Sequence, residues 1–353
     1  MNISEYGWTA EREAAFLRGR GTVPARIISV QRGLYGIVSE YREGTARLKG
    51  GIYYNGMTDK FPTIGDFVEV TILEGGDGQI VKTLERSSCF SRKDPYAGVG
   101  EQLVAANIDY VFLMMSMNQN FNLQRLQRYL TVAWQSGGTP VAVLTKADLV
   151  QDVQAWTDRV SRAAPGVDVL AVSAVTGFGL ESLDRYLIPG KTVVFLGSSG
   201  IGKSSLLNVL AGGELMKTGE IREPDARGRH TTTNRQMFLL KSGALVIDTP
   251  GMRELGAWEV TEGMTETFGD LKLLSEQCRF SDCTHTTEPG CAVRAAIESG
   301  ELSADKLKLY RQLERENAYA IRRERRRQIL GSRAGRKPEK RQKHKNAARQ
   351  QDW

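Results

Sequence analysis

Along the chain, short alternating stretches of apolar residues give way to longer continuous ones, and the change of period divides it. Between residues 24 and 86 the apolar positions come in brief runs broken by turn residues, at 25–30, 34–38, 45–48, 66–72 and 79–84. Five short strands so closely spaced predict a small closed barrel, most commonly of the OB type. Beyond residue 102 the runs at 110–115, 140–144, 167–172 and 192–196 are continuously apolar, as strands buried on both faces are. Helical patterns at 123–134 and 180–187 lie between them. The alternation predicts a mostly parallel sheet with helices on both faces. Residues 236–240 and 244–247 read as a hairpin that adds an antiparallel edge. After Trp258 only helical patterns remain, at 264–275 and 292–299, followed by a long helix that Ser303 caps and that runs towards Ile329.

The expected organisation is a leader (1–23) with a helix near residues 11–18, an OB-like barrel (24–88) and a polar linker (89–102). An α/β domain (103–258), a helical domain (259–330) and a disordered basic tail (331–353) follow.

Composition changes this picture little; charge placement changes it more. Hydrophobic residues make up 41% of the 353 and charged residues 25%, ordinary for a globular protein. No apolar run reaches bilayer length, and the first twenty or so residues lack a signal-peptide pattern, so a cytoplasmic protein with no membrane partner is expected. The net charge is +7, yet Ile321 to Trp353 holds 13 Lys/Arg against 3 Asp/Glu, a local +10 on a body of about −3. Such a tail suits a polyanionic partner, nucleic acid first, with a merely solvated tail as the alternative.

The sharpest chemical signal is Gly197-Ser198-Ser199-Gly200-Ile201-Gly202-Lys203-Ser204, a G-x-x-x-x-G-K-S loop after one predicted strand and before a helix that opens at Ser205. Its glycines let backbone N–H groups wrap phosphate oxygens; Lys203 can reach the β- and γ-phosphates, and the Ser204 hydroxyl can ligate Mg²⁺. Asp248-Thr249-Pro250-Gly251 ends another apolar strand, placing Asp248 to hold Mg²⁺ through water and the Gly251 N–H near the γ-phosphate. Between them, one of Thr231, Thr232 and Thr233 can bind Mg²⁺ and γ-phosphate and so order its loop in the triphosphate state. Which of the three does so stays open.

Base choice follows from Thr145-Lys146-Ala147-Asp148. An ionised carboxylate only accepts, and guanine offers it an N1–H beside an exocyclic amine, whereas adenine lacks that N1–H. Asp148 therefore selects GTP. Lys146 can lie along the base and brace the phosphate loop, and Ser173-Ala174 brings the Ala174 N–H towards guanine O6. Each short motif alone is incidental more often than not; beside a phosphate loop the set is specific.

In ordinary GTPases the base motifs follow the phosphate loop; here they precede it. In this order, and in Gly228-Arg229-His230-Thr231-Thr232-Thr233, Asp248 to Glu254 and Glu288-Pro289-Gly290-Cys291-Ala292-Val293, the chain resembles the circularly permuted, ribosome small-subunit-dependent GTPases, also called YjeQ/RsgA. The likeness covers nearly the whole chain. It implies a multi-domain protein with an OB-like barrel, a permuted P-loop GTPase and a helical zinc-binding domain. It also implies GTP hydrolysis to GDP stimulated by the small (30S) subunit, contact with 16S rRNA, work alongside other assembly factors in late maturation, and a monomer. Met252 stands where many GTPases carry a water-orienting Gln. His230 is a candidate for that role, with an RNA contact or no function weighing equally.

Cys278-x4-Cys283-x-His285-x5-Cys291 supplies three thiolates and an imidazole, a set that favours one Zn²⁺ in a closed structural site. It matches the family's zinc motif at each ligand. Cys89 is left over as a free thiol. Arg279, Arg294 and the basic cluster from Arg322 to Arg327 suit phosphate contacts that weaken with salt. Two other readings remain: a small-molecule nucleotide kinase, against which Asp148 and Ser173-Ala174 argue, and a non-catalytic RNA-binding module that uses GTP only for folding.

Overall fold

The computed structural model describes residues 2–17, 21–31, 33–50, 61–72, 77–93, 101–215, 235–248 and 261–334. Five strands, β1 (Thr22–Gln31), β2 (Leu34–Ser39), β3 (Glu43–Leu48), β4 (Phe67–Thr71) and β5 (Gly78–Thr83), form the expected barrel. They pair in the order β1-β2-β3-β5-β4, and β4 closes back on β1. Alternate residues point inward: Ala25, Ile27, Tyr35, Ile37, Val68, Val70 and Ile80 make its core. The leader does not trail. Its 3-10 turn (Ile3–Tyr6) is followed by helix α1 (Ala10–Ala15), and Ile3 and Trp8 are buried against Phe67.

The two ends of the stretch read as a polar linker are strands instead: β6 (Cys89–Lys93) pairs antiparallel with β7 (Glu101–Ala106). Their apolar members Phe90, Val104 and Ala105 are buried, too few to stand out against the polar residues around them. The α/β region continues with β8 (Tyr110–Ser116), α2 (Leu123–Ser136), β9 (Thr139–Thr145), α3 (Val153–Ala163), β10 (Asp168–Ala171), β11 (Thr192–Leu196), α4 (Lys203–Ala211), β12 (Arg235–Leu239) and β13 (Leu245–Asp248). Strands β10-β9-β8-β11-β13 are parallel neighbours, and β12 joins antiparallel. Phe112, Met114, Val141, Val143, Val193 and Phe195 meet Leu206 and Leu207 of α4 in one core. The residues that alternate with them, Val111, Leu113, Ala142, Leu144, Val194 and Leu196, are equally buried. Both faces are covered, which is why these strands read as unbroken apolar runs. The helical pattern at 180–187 yields only a 3-10 turn, Leu180–Leu183.

The hairpin expected to form a sheet edge does not end the sheet. β12 pairs antiparallel with β1 of the barrel, Ser29 opposite Gln236 and Val30 opposite Arg235, so one sheet of eleven strands runs through both regions. At ten residues β1 is long, and one of its sides serves two partners. Thr22 to Arg26 pair with β4 and Ser29 and Val30 with β12; the register against β2 shifts between Ile27 and Ser29, at the changeover. Such an irregularity bends a strand and re-aims it.

A buried cation fastens the same junction. Arg26, 1% exposed, donates to Tyr6 O (2.5 Å), Gly65 O (3.3 Å), Asn107 O (3.1 Å) and Thr192 Oγ1 (2.8 Å). Leader, barrel, β7 exit and β11 thus share one guanidinium, which also lies 4.7 Å over the Phe67 ring. Burial pushes its pKa down to about 9, still a cation at neutral pH. Gly65 sits at φ +86, and a Cβ there would stand 2.1 Å from Ala106 O, so only glycine permits the approach.

Helices α5 (Thr261–Thr267), α6 (Gly269–Glu276), α7 (Ala292–Glu298) and α8 (Ala304–Ala334) complete the chain. The last extends past Gly331, where the loss of periodicity suggests disorder; it buries Leu307, Leu309 and Leu313 near its start, and the Glu and Arg that follow are good helix formers. The chain divides into two compact units, Met1–Gly256 with Glu262–Leu273, and Ala257–Thr261 with Leu274–Trp353. Among the described residues no helix is long and apolar enough to cross a membrane.

Candidate nucleotide site and thiol cluster

The nucleotide motifs converge at the carboxyl ends of neighbouring parallel strands, where open α/β sheets bind ligands. Thr145 ends β9, Ser173 follows β10, Gly197 follows β11 and Asp248 ends β13. Gly197 must be glycine, because a Cβ there would lie 2.8 Å from Met114 O and 2.1 Å from Ile201 Cδ1. Gly200 and Gly202 take φ of +76 and +97, turning the loop so that Ser204 and Ser205 enter the first turn of α4. The Lys203 ammonium lies in the cradle of the loop, donating to Gly197 O (2.5 Å) and Ser198 O (2.7 Å).

Base and phosphate elements touch. The Lys146 ammonium donates to Gly200 O at 2.8 Å, and the Thr145 hydroxyl to Ile201 O at 2.5 Å. Lys146 itself has φ +62, a left-handed conformation unusual for a side-chain-bearing residue and held here by its neighbours. The Ser173 hydroxyl, wholly buried, donates to Asp148 at 2.5 Å while accepting from the Val175 and Thr176 N–H groups, both at 3.2 Å. This leaves the Asp148 side chain exposed yet held, with Ala174 next along the chain half-buried. His230, Thr231, Thr232, Thr233, Gly251 and Met252 lie outside the described residues.

One neighbour of the phosphate loop escaped the sequence reading. Arg125, in the first turn of α2, donates to Ser198 Oγ at 3.0 Å. Nothing in its local pattern signals this, since the two residues meet only through the fold.

The second constellation is a thiol–imidazole cluster. The ligand atoms of Cys278, Cys283, His285 and Cys291 all lie within 4.8 Å of one another. Cys278 Sγ is 3.9 Å from Cys291 Sγ, and the His285 Nδ1 is 3.6 and 3.5 Å from those two sulfurs. An ion with metal–sulfur bonds of about 2.3 Å and metal–nitrogen bonds of about 2.0 Å has tetrahedral edges of roughly 3.5–3.8 Å. The edges among Cys278, His285 and Cys291 therefore match a tetrahedral metal, and all four atoms are close enough together to hold one ion. Burial first, then the Arg311 charge, lower the His285 pKa and favour the neutral imidazole that can ligate. The Arg294 N–H donates to Cys291 Sγ at 3.4 Å, support a thiolate needs. Cys89 lies apart on β6, half-buried.

Known proteins resemble this chain over most of its length. The profile of the RsgA GTPase family matches residues 83–258. A relative from Listeria monocytogenes, named small ribosomal subunit biogenesis GTPase RsgA 2, is 47% identical over 91% of each chain. One from Methanosarcina acetivorans, a small ribosomal subunit biogenesis GTPase RsgA, is 40% identical over 87% of this chain and 83% of its own. Among solved structures, YjeQ from Thermotoga maritima superposes with a TM-score of 0.63 at 27% identity, covering 84% of this chain and 99% of that one. YloQ, described as a circularly permuted GTPase, gives 0.59 at 25%, covering 86% and 99%.

Proposed function

The chain belongs to the RsgA GTPase family and is a GTP-hydrolysing enzyme, and we propose that it serves late maturation of the small ribosomal subunit. We read GTP as bound between Asp148, Ser173 and Ala174 at the base and the loop from Gly197 to Ser205 at the phosphates. The observation that carries this is the direct bracing of the phosphate loop by the base motif, through Lys146 on Gly200 and Thr145 on Ile201.

Asp148 accepts from the guanine N1–H and amine, and Ser173 holds its carboxylate in place. Lys203 exchanges its loop carbonyls for β- and γ-phosphate oxygens. Mg²⁺, when bound, neutralises phosphate charge; Ser204, and Asp248 through water, would hold it. The Gly251 N–H and a threonine among Thr231, Thr232 and Thr233 sense the γ-phosphate. Since Met252 cannot orient water, His230, or a group presented with the ribosome, takes that part.

The Cys278, Cys283, His285 and Cys291 cluster fits Zn²⁺ as a structural ion, since four protein ligands leave no open coordination position. In this reading residues 103–258 act as the catalytic module, with the barrel at 24–88 and the cluster domain at 259–330 as RNA-facing partners. The protein acts as a monomer on 16S rRNA in the cytoplasm, beside other assembly factors. GTP turnover measured with and without purified 30S subunits tests this. A rate that the subunits leave unchanged refutes the ribosomal arm, and GTP binding without turnover in both leaves a non-catalytic module.

A further inference from the structure

The loop that carries His285 is organised around one carboxylate. Glu288 Oε1 accepts from the Thr284 N–H (3.0 Å) and from the Thr284 hydroxyl. Its Oε2 accepts from the N–H groups of Thr286 (2.8 Å) and Thr287 (3.0 Å), with the Thr286 hydroxyl at 3.4 Å. Three backbone N–H groups flanking His285 thus converge on the same side chain. From the other side, Arg311 of α8 donates to Thr284 O at 2.5 Å.

These anchors matter because His285 is in the left-handed region, φ +58. A histidine there gives up about 1 kcal/mol or more relative to ordinary backbone, so surrounding bonds must hold it. Held so, its Nδ1 faces the sulfurs of Cys278 and Cys291. Without the carboxylate the three N–H groups turn to water, the backbone relaxes out of the left-handed well, and the imidazole swings away. Both Glu288 oxygens are occupied by the loop, and its atoms are not among the four clustered ligand atoms. Its part is indirect.

We propose that Glu288 is a positioning residue of the metal centre, holding the His285 loop in its ligating conformation. This rests on the reading of the cluster as a metal site. The test uses the full-length protein with Zn²⁺ affinity measured against a chromophoric chelator, and with Co²⁺ as a spectroscopic probe. Glu288→Ala should weaken Zn²⁺ binding by about 10–100-fold, and Glu288→Gln, which keeps one acceptor, by less. The Co²⁺ complex of Glu288→Ala should keep its thiolate charge-transfer bands while its d–d bands shift to match those of His285→Ala.

Wild-type affinity in both variants would overturn the proposal. So would a Glu288→Ala protein that loses its thiolate charge-transfer bands along with its d–d bands, since that marks general collapse; should it not fold, Glu288→Gln decides on affinity alone. A wild-type protein that binds neither ion overturns the metal reading itself, and this inference with it.

Discussion

The two compact units are held together by different means. In the first, eleven strands in one sheet bury two apolar cores, and a single guanidinium ties four segments at their junction. Among the described residues of the second, the buried apolar side chains are fewer and include no aromatic ring (Val293, Ala296, Leu302, Leu307, Leu309 and Leu313), and four ligand atoms gather in one place. Where burial is plentiful, polar contacts refine a fold that already exists. Where it is scarce, four ligand atoms close enough to hold a metal ion offer another source of cohesion.

Stripping the ion, with a chelator or by Cys291→Ser, should have the largest effect. Metal binding in small structural sites contributes on the order of 10 kcal/mol, so residues 274–334 should become protease-sensitive while GTP binding persists. Equal protection with and without metal would erase the contrast. Next comes Arg26→Met, which removes a donor from Tyr6 O, Asn107 O and Thr192 Oγ1 and one of two from Gly65 O, and should cost about 3–4 kcal/mol in urea denaturation. Metal content should not change.

Asp148→Asn turns an acceptor into a partial donor against guanine, and GTP affinity should fall by about 100-fold, or ~2.7 kcal/mol, with stability nearly unaltered. The smallest effect belongs to the surface. Arg294 and Glu298 form an exposed i,i+4 pair at 3.5 Å on α7, and Glu298→Gln should shift stability by less than about 0.5 kcal/mol. A larger shift would show that the second unit depends on its surface charges as well.

What the sequence revealed follows the same division between local and distant causes. Gly197 to Ser204, Thr145 to Asp148 and Cys278 to Cys291 were legible because their chemistry needs fixed spacing within one short segment. The barrel strands and buried strands were legible through their periods. Arg26 was not, since an arginine amid apolar neighbours reads as an exposed interruption until Tyr6, Asn107 and Thr192 are brought around it. Glu288 stood in plain sight within a recognisable motif, but its task depends on three N–H groups that converge only once His285 turns left-handed. The pairing of β12 with β1 was hidden too, because strand patterns report which face is apolar and nothing about who lies alongside.

That pairing bears on how such a protein can be taken apart. Because β1 closes the barrel with one half of its side and extends the neighbouring sheet with the other, no cut separates the modules cleanly. Excising the barrel would bare the flank of β12 at Gln236 and Arg235, and an unpaired flank recruits any strand that meets it. Barrel and α/β region are therefore one structural unit: grafting, swapping or trimming either has to respect a seam two residues long.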